Sequence, residues 1–208
     1  MQAPHAQRKK IGLYLAAEPF GGGTFQYSLA ILEAFNSLPE TRFQKVVAYT
    51  HEAWSKHLTP TDSVRVFQAP RGVLGRAASK LWRKGRLPLA PWRASAPLLH
   101  AATRALIRER ADLWVFPAQD YVAYQAPVPA LTTIHDLMHR YEPSFPEVTA
   151  NGEFAWREYH YRNTCRFAKG ILVDSNVGKK QVCESYECAE QKVHVLPFVP
   201  PSYIFNAN

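Results

Sequence analysis

Apolar and polar positions along this chain change rhythm in a regular way. "KIGLYLAA" (10–17) is a short apolar run of the kind that forms a buried strand. Three glycines follow, Gly21, Gly22 and Gly23, and then Tyr27, Ala30, Ile31, Ala34 and Phe35 recur at the 3,4 spacing of one helix face. Thr24 stands where an N-cap would, and the pattern predicts a helix from there to about Asn36. "FQKVVAYT" (43–50) and "SVRVFQ" (63–68) read as strands, with a short helical piece at Glu52–Leu58 between them. "APLLHAATRALIRERA" (96–111) predicts one helix, "DLWVFP" (112–117) and "ALTTIHD" (130–136) two strands, and "GEFAWREYHYRNTCRFA" (152–168) a long helix. "GILVDS" (170–175) is a further strand, with Ser175 or Asn176 capping the next short helix, and "KVHVLPF" (192–198) is the last strand.

The strands are too apolar to have a wet face, and they alternate with helices. That combination predicts an α/β fold, doubly wound around a mainly parallel, Rossmann-like sheet covered on both sides. In such sheets ligands bind beyond the carboxyl ends of the strands. Gly21–Gly23, His135–Asp136 and Ser175–Asn176 all fall at such ends, from three distant parts of the sequence. Three glycines in one turn lose much conformational freedom on folding, and that cost is reasonable where a ligand must approach the backbone. A helix N-terminus just after them offers free N–H groups and partial positive charge to an anion. A tight turn without a ligand is the plain alternative. A nicotinamide-type fingerprint fits less well, because Gln26 stands at its third glycine.

The net charge of +8 is concentrated. Residues 71–110 hold ten Arg or Lys against Glu109 alone, while the rest of the chain is nearly neutral. Within 71–97 the cations, among them Arg76, Lys80, Arg83, Lys84 and Arg86, are interleaved with Trp82 and Trp92. Basic and aromatic residues together suit an anionic membrane interface. A solvated loop with its Trp side chains packed inward is the alternative, and no recognition helix, zinc motif or RNA-binding signature supports nucleic acid. No apolar run approaches the ~18 residues of a membrane span. The opening "MQAPHAQRKK" lacks the apolar core of a signal peptide, so a cytoplasmic chain is expected, held peripherally on the inner face of the membrane if the basic block binds it. Cys165, Cys183 and Cys188 have no C-x-x-C spacing and are expected to be isolated thiols in a reducing compartment.

Three segments in order carry a resemblance: the strand–"GGGTFQYS"–helix opening, "TTIHDLMHRYEPSFP" (132–146) and "RFAKGILVDSNVGKKQVCESYECAEQKVHVLPF" (166–198). Together they resemble the N-terminal domain of GT-B-fold glycosyltransferases of the large retaining family 4. The likeness covers most of the chain except residues 70–97. It implies a disordered tail at 1–9, an acceptor-side domain at 10–198 and the start of an interdomain linker at 199–208. It implies transfer of a sugar, with retention, from a nucleotide-sugar co-substrate to a lipid-linked or saccharide acceptor, with no other cofactor and no metal. Gly21, Gly22 and Gly23 would approach the donor diphosphate. His135 and Asp136 would lie at the reacting sugar, and Glu18, Ser175 and Asn176 near the acceptor or cleft, although Asp136 equally reads as a cap or brace of its loop, Glu18 as an exposed loop carboxylate, and Ser175 and Asn176 as helix caps. The family's second domain carries two Glu separated by seven residues. No Glu here has a Glu eight positions on, so the chain is expected to be inactive alone. The other reading is a non-catalytic Rossmann-like module that holds a phosphorylated ligand or an anionic membrane.

Overall fold

A computed structural model describes residues 8–19 and 22–198. The first strand, β1 (Lys9–Leu15), has its last five residues buried, as its apolar run requires. It leads to helix α1 (Gly23–Ser37), strand β2 (Phe43–Tyr49), a 3-10 turn at Glu52–His57 and strand β3 (Val64–Gln68). Helices α2 (Val73–Lys84), α3 (Leu89–Leu99) and α4 (Ala101–Arg108) carry the chain to β4 (Leu113–Phe116). The short α5 (Val122–Gln125) precedes β5 (Ala130–Thr133), and the short α6 (Met138–Tyr141) and α7 (Pro146–Thr149) precede the long α8 (Glu153–Phe167). Strand β6 (Gly170–Val173), helix α9 (Asn176–Tyr186) and strand β7 (Val193–Val195) complete the order.

Among the described residues seven strands form one sheet in the order β3-β2-β1-β4-β5-β6-β7, every pair parallel. The doubly wound Rossmann-like fold expected from the alternation is therefore present. The chain builds outward from β1 to β3, then crosses back and builds the other way from β4. Loops leaving β1 and β4 consequently diverge and open a crevice at their carboxyl ends. Two of the largest apolar clusters cover the two faces of this half of the sheet. One is centred on Trp114, Phe116 and Leu106, the other on Leu13, Leu15 and Trp54.

The β1–β4 pairing needs a glycine. Gly12 pairs with Trp114, whose indole is fully buried. A Cβ on Gly12 would stand 2.3 Å from that ring, far inside contact distance. The first turn also differs in detail from expectation. Helix α1 starts at Gly23 with Gly22 as its N-cap at φ 56°, and no side chain caps it. The positive φ of Gly22 turns the chain one residue earlier, so Thr24 lies inside the helix, where its carbonyl accepts from Ser28 Oγ at 2.8 Å. At the other end of α1, the buried Lys45 donates from Nζ to the carbonyls of Asn36 and Leu38 at 2.8 and 3.1 Å.

The single helix expected over 96–111 is two helices broken at His100, whose φ of −108° and ψ of 109° are extended. The break has a packing cause. Helix α2 presses on this corner through Gly75, where a Cβ would lie 2.3 Å from the Leu99 carbonyl. Stretch 70–97 folds as α2 and α3, and its two Trp side chains turn inward. Trp92 is only 1% exposed and packs beside Leu89, Ala96 and Tyr124, so it cannot serve as the interfacial ring expected of it. Trp82 is half-buried against Trp92, with its Nε1 donating to the Pro88 carbonyl at 2.9 Å. The cysteines are free but not isolated, because Cys165 and Cys188 lie side by side in one buried cluster. The expected tail falls outside the described residues except at Arg8 and Lys9, and Lys9 already belongs to β1. The expected linker start at 199–208 lies wholly outside them.

Overpacking the β1–β4 seam should be costly. Gly12→Ala is expected to lower stability by roughly 1–3 kcal/mol. The change would appear in urea unfolding as a lower midpoint with an unchanged slope.

Candidate functional site

A cavity of about 550 Å³ opens at the carboxyl ends of β1, β4 and β5. Gly23 and Thr24 at the start of α1 line one side, and His135 and Asp136 just after β5 line another. Gln119 and Tyr121 come from the loop after β4, and α8 closes the remaining side. The first amides of α1 have no carbonyl one turn back within the helix, so they are available to a ligand. A Cβ at Gly22 or Gly23 would meet nothing within 4 Å among the described residues, which leaves this backbone open to approach. Gly21 lies outside the described residues.

His135 meets the ring of Tyr27 edge-on, with centroids 4.9 Å apart. Burial holds its pKa below the usual histidine value, against the opposing pull of a hydrogen bond to the Pro117 carbonyl and the charges of Asp136 and Asp174. Its Nε2 has no partner among the described residues. With the proton on Nδ1, toward Pro117, Nε2 is left as an acceptor. At neutral pH such a ring can receive a hydrogen bond from a ligand hydroxyl.

Asp136 is tied down. Its Oδ1 accepts from the Met138 amide at 3.0 Å and from Arg157 Nη1 at 2.9 Å. Arg157 also donates from Nε to Glu153 at 3.2 Å. The aspartate braces the loop after β5 and positions Arg157, and both of its strong contacts come from protein. Ser175 caps α9, with its Oγ accepting from the Gly178 amide at 3.1 Å and donating to Asp174 Oδ1 at 3.0 Å. It also shares a smaller cavity of about 210 Å³ with His135 and Asp136. Asn176 is the exposed first residue of α9 and lines neither cavity. Glu18 lies in a different cavity on the far side of β1.

Much of the wall has no counterpart in the sequence reading. Glu153, Trp156, Arg157, His160 and Tyr161 all line the cavity from α8. They follow the same 3,4 spacing that marks an apolar face, but with charged and aromatic residues in it. That stripe was the available signal. His160 is nearly buried, and burial with the nearby Arg83 and Arg157 pushes its pKa down to about 3, so it stays neutral. Tyr161 donates to Gln119 Oε1 at 3.0 Å and ties α8 to the loop after β4.

The cations of the basic block divide into two groups. The Arg83 guanidinium lies 3.8 Å from the Tyr121 ring centroid and 5.4 Å from that of Trp156, so it is engaged by two rings of the protein and not held out toward a membrane. Arg76, Lys80, Lys84 and Arg86 are exposed. On α2, Lys80 and Lys84 share the outer face with Val73, Leu74 and Leu81, which are 70%, 86% and 70% exposed. Among the described residues no helix is long and apolar enough to cross a membrane, and no group of three or more His, Cys, Asp or Glu is placed to hold a metal ion.

No protein-family model matches the sequence, and no curated protein matches it. Solved structures do match the fold. Anabaena HepE in complex with UDP and glucose is 17% identical, with a TM-score of 0.50 over 91% of this chain and 44% of that one. A UDP-glucosyltransferase from Polygonum tinctorium capable of glucosylating indoxyl is 15% identical, with a TM-score of 0.50 over 94% of this chain and 52% of that one. A candidate UDP-N-acetylglucosamine 2-epimerase from Listeria monocytogenes is 11% identical, with a TM-score of 0.52 over 96% of this chain and 50% of that one. The chain spans about half the length of these structures. Its fold is that of the N-terminal-like domain of a GT-B architecture.

Proposed function

We propose that this chain is the acceptor-side half of a retaining glycosyltransferase that moves a sugar from a nucleotide-sugar to a lipid-linked or saccharide acceptor. One observation carries the reading. The open glycine turn and free amides of α1 share a cavity with a neutral histidine at the end of β5. Helix amides suit the diphosphate of a donor. Nε2 of His135 suits a hydroxyl of the transferred sugar, and Arg157, held by Asp136 and Glu153, adds hydrogen-bond donors on the opposite wall with its charge compensated. Asp136 acts in this reading by positioning Arg157 and not as a base. No metal takes part and no cofactor beyond the co-substrate is needed.

The residues that complete the donor site and the pair of glutamates belong to a second domain. The 208 residues alone are therefore expected to transfer no sugar from any common nucleotide-sugar, as measured by release of the free nucleotide. Turnover by the purified chain without a partner would overturn this assignment. The other reading, a non-catalytic module, would be favoured if the chain joined to its second domain also failed to turn over.

The membrane contact in this proposal lies on the outer face of α2. Leu74 and Leu81, seven residues apart, would enter the headgroup region while Lys80 and Lys84 meet anionic lipid. A cytoplasmic chain would meet such lipid on the inner face of the membrane. Each cation near such a surface contributes about 1 kcal/mol. Changing Lys80 and Lys84 to Ser is expected to weaken binding to anionic vesicles about 30-fold at low salt. Changing Leu74 and Leu81 to Ser should weaken it further, and both double variants should keep the fold. A chain that stays in the supernatant with anionic vesicles at low salt would remove the membrane from the proposal.

A further inference from the structure

A second cavity, of about 450 Å³, lies across β1 from the first, at the carboxyl ends of β1, β2 and β3. Resting on the transferase reading above, we infer that it is an acceptor subsite for a phosphate group flanked by hydroxyls. Its polar lining includes Glu18, Arg71, Arg76, His100 and Asp120.

His100 provides the first argument. It is 5% exposed and caps α4, its Nδ1 accepting from the Thr103 amide at 3.3 Å. That role fixes the proton on Nε2. Nε2 is buried and has no partner among the described residues, although His100 lines the cavity. A buried N–H without an acceptor is costly and calls for an explanation. Burial and the nearby Arg76 and Arg83 hold the ring neutral, so it is a single donor and not a charge.

The arginines provide the second. Neither Arg71 nor Arg76 enters an ion pair among the described residues, so neither guanidinium is compensated within this cavity. Arg71 is oriented by a bond from Nη2 to the Thr50 carbonyl. Arg76 follows Gly75, the residue whose missing side chain lets α2 press on the Leu99–His100 corner. The close approach therefore brings Arg76 and His100 to one wall. Two guanidinium forks and one N–H make a donor set that matches phosphate oxygens.

Two carboxyl groups define the rest of the ligand. Glu18 is exposed, and Asp120 accepts from the Val122 amide at 2.6 Å through Oδ1. A bare anion would gain nothing from them. A ligand with hydroxyls beside its phosphate would satisfy both sets, and the cavity is large enough for a sugar phosphate. A free sugar phosphate and a phosphoglycerol lipid headgroup share this chemistry.

The test uses the 208-residue chain with labelled histidine side chains and follows the His100 ring by NMR. The probes are inorganic phosphate, glucose 6-phosphate and dihexanoyl phosphatidylglycerol, each with a sodium chloride control at matched ionic strength. The expected result is a saturable shift of His100 with phosphate and tighter binding of whichever hydroxyl-bearing probe matches the acceptor. Arg76→Ala should weaken that binding about tenfold. His100→Asn keeps a capping oxygen for the Thr103 amide but loses the Nε2 donor, and should do the same, read by the shift of the Thr103 amide. No shift beyond the salt control, or binding that Arg76→Ala leaves unchanged, would overturn the inference. Neither readout uses a nucleotide-sugar or turnover, so failure here is separable from failure of the transferase reading.

Discussion

The upper edge of the sheet depends on how closely β4 lies against β1. These two strands are neighbours in space and almost a hundred residues apart in sequence. Their contact is also the point where the direction of winding reverses. Gly12 makes it possible, because only a residue without a side chain leaves room for the buried Trp114 ring over β1. Once the strands are paired, the loops after them must part, one toward α1 and the other toward α5. The two larger cavities follow from that parting, and Tyr121 lines both.

Burial then decides where charge can be found. His100, His135 and His160 are all held neutral by desolvation, so the polar walls offer hydrogen bonds and little net charge from imidazole. Arg157 is compensated by Asp136 and Glu153, and Arg83 is held between aromatic rings. The positive potential left for an anion comes from the amides at the start of α1 and from Arg71 and Arg76 beside α2. A phosphate-bearing ligand thus meets one electropositive position in each cavity. This arrangement suits two anionic ligands on either side of β1, the relation that a donor and an acceptor would have.

The strands were legible because each is a short, largely apolar run with a turn at its end, and burial on both faces of the inner strands β1 and β6 demands that composition. Their order was legible only in kind. The doubly wound class follows from alternation, but the Gly12–Trp114 contact that reverses the winding has no local signature. The basic block was misleading in a specific way. Trp82 and Trp92 lie among cations in sequence, yet the helical period places them on the inner face of α2 and α3 while Lys80 and Lys84 point out. The break at His100 was missed because its cause is tertiary, the approach of Gly75 from another helix. At the candidate site, His135 was visible as the polar end of an apolar strand. The α8 wall was not, because its 3,4 stripe of Glu153, Trp156, Arg157, His160 and Tyr161 does not look like a core face.

The proposed site requires the glycine turn of α1 and His135 to bind one ligand between them. Amide and histidine side-chain NMR of the chain during titration with millimolar UDP tests it most directly, since weak binding still shifts the resonances it touches. Concerted shifts are expected at Gly22, Gly23 and Thr24 and at the His135 ring, with a common saturation point. Shifts confined to α2 and His100, or none at the α1 amides at saturating nucleotide, would contradict it.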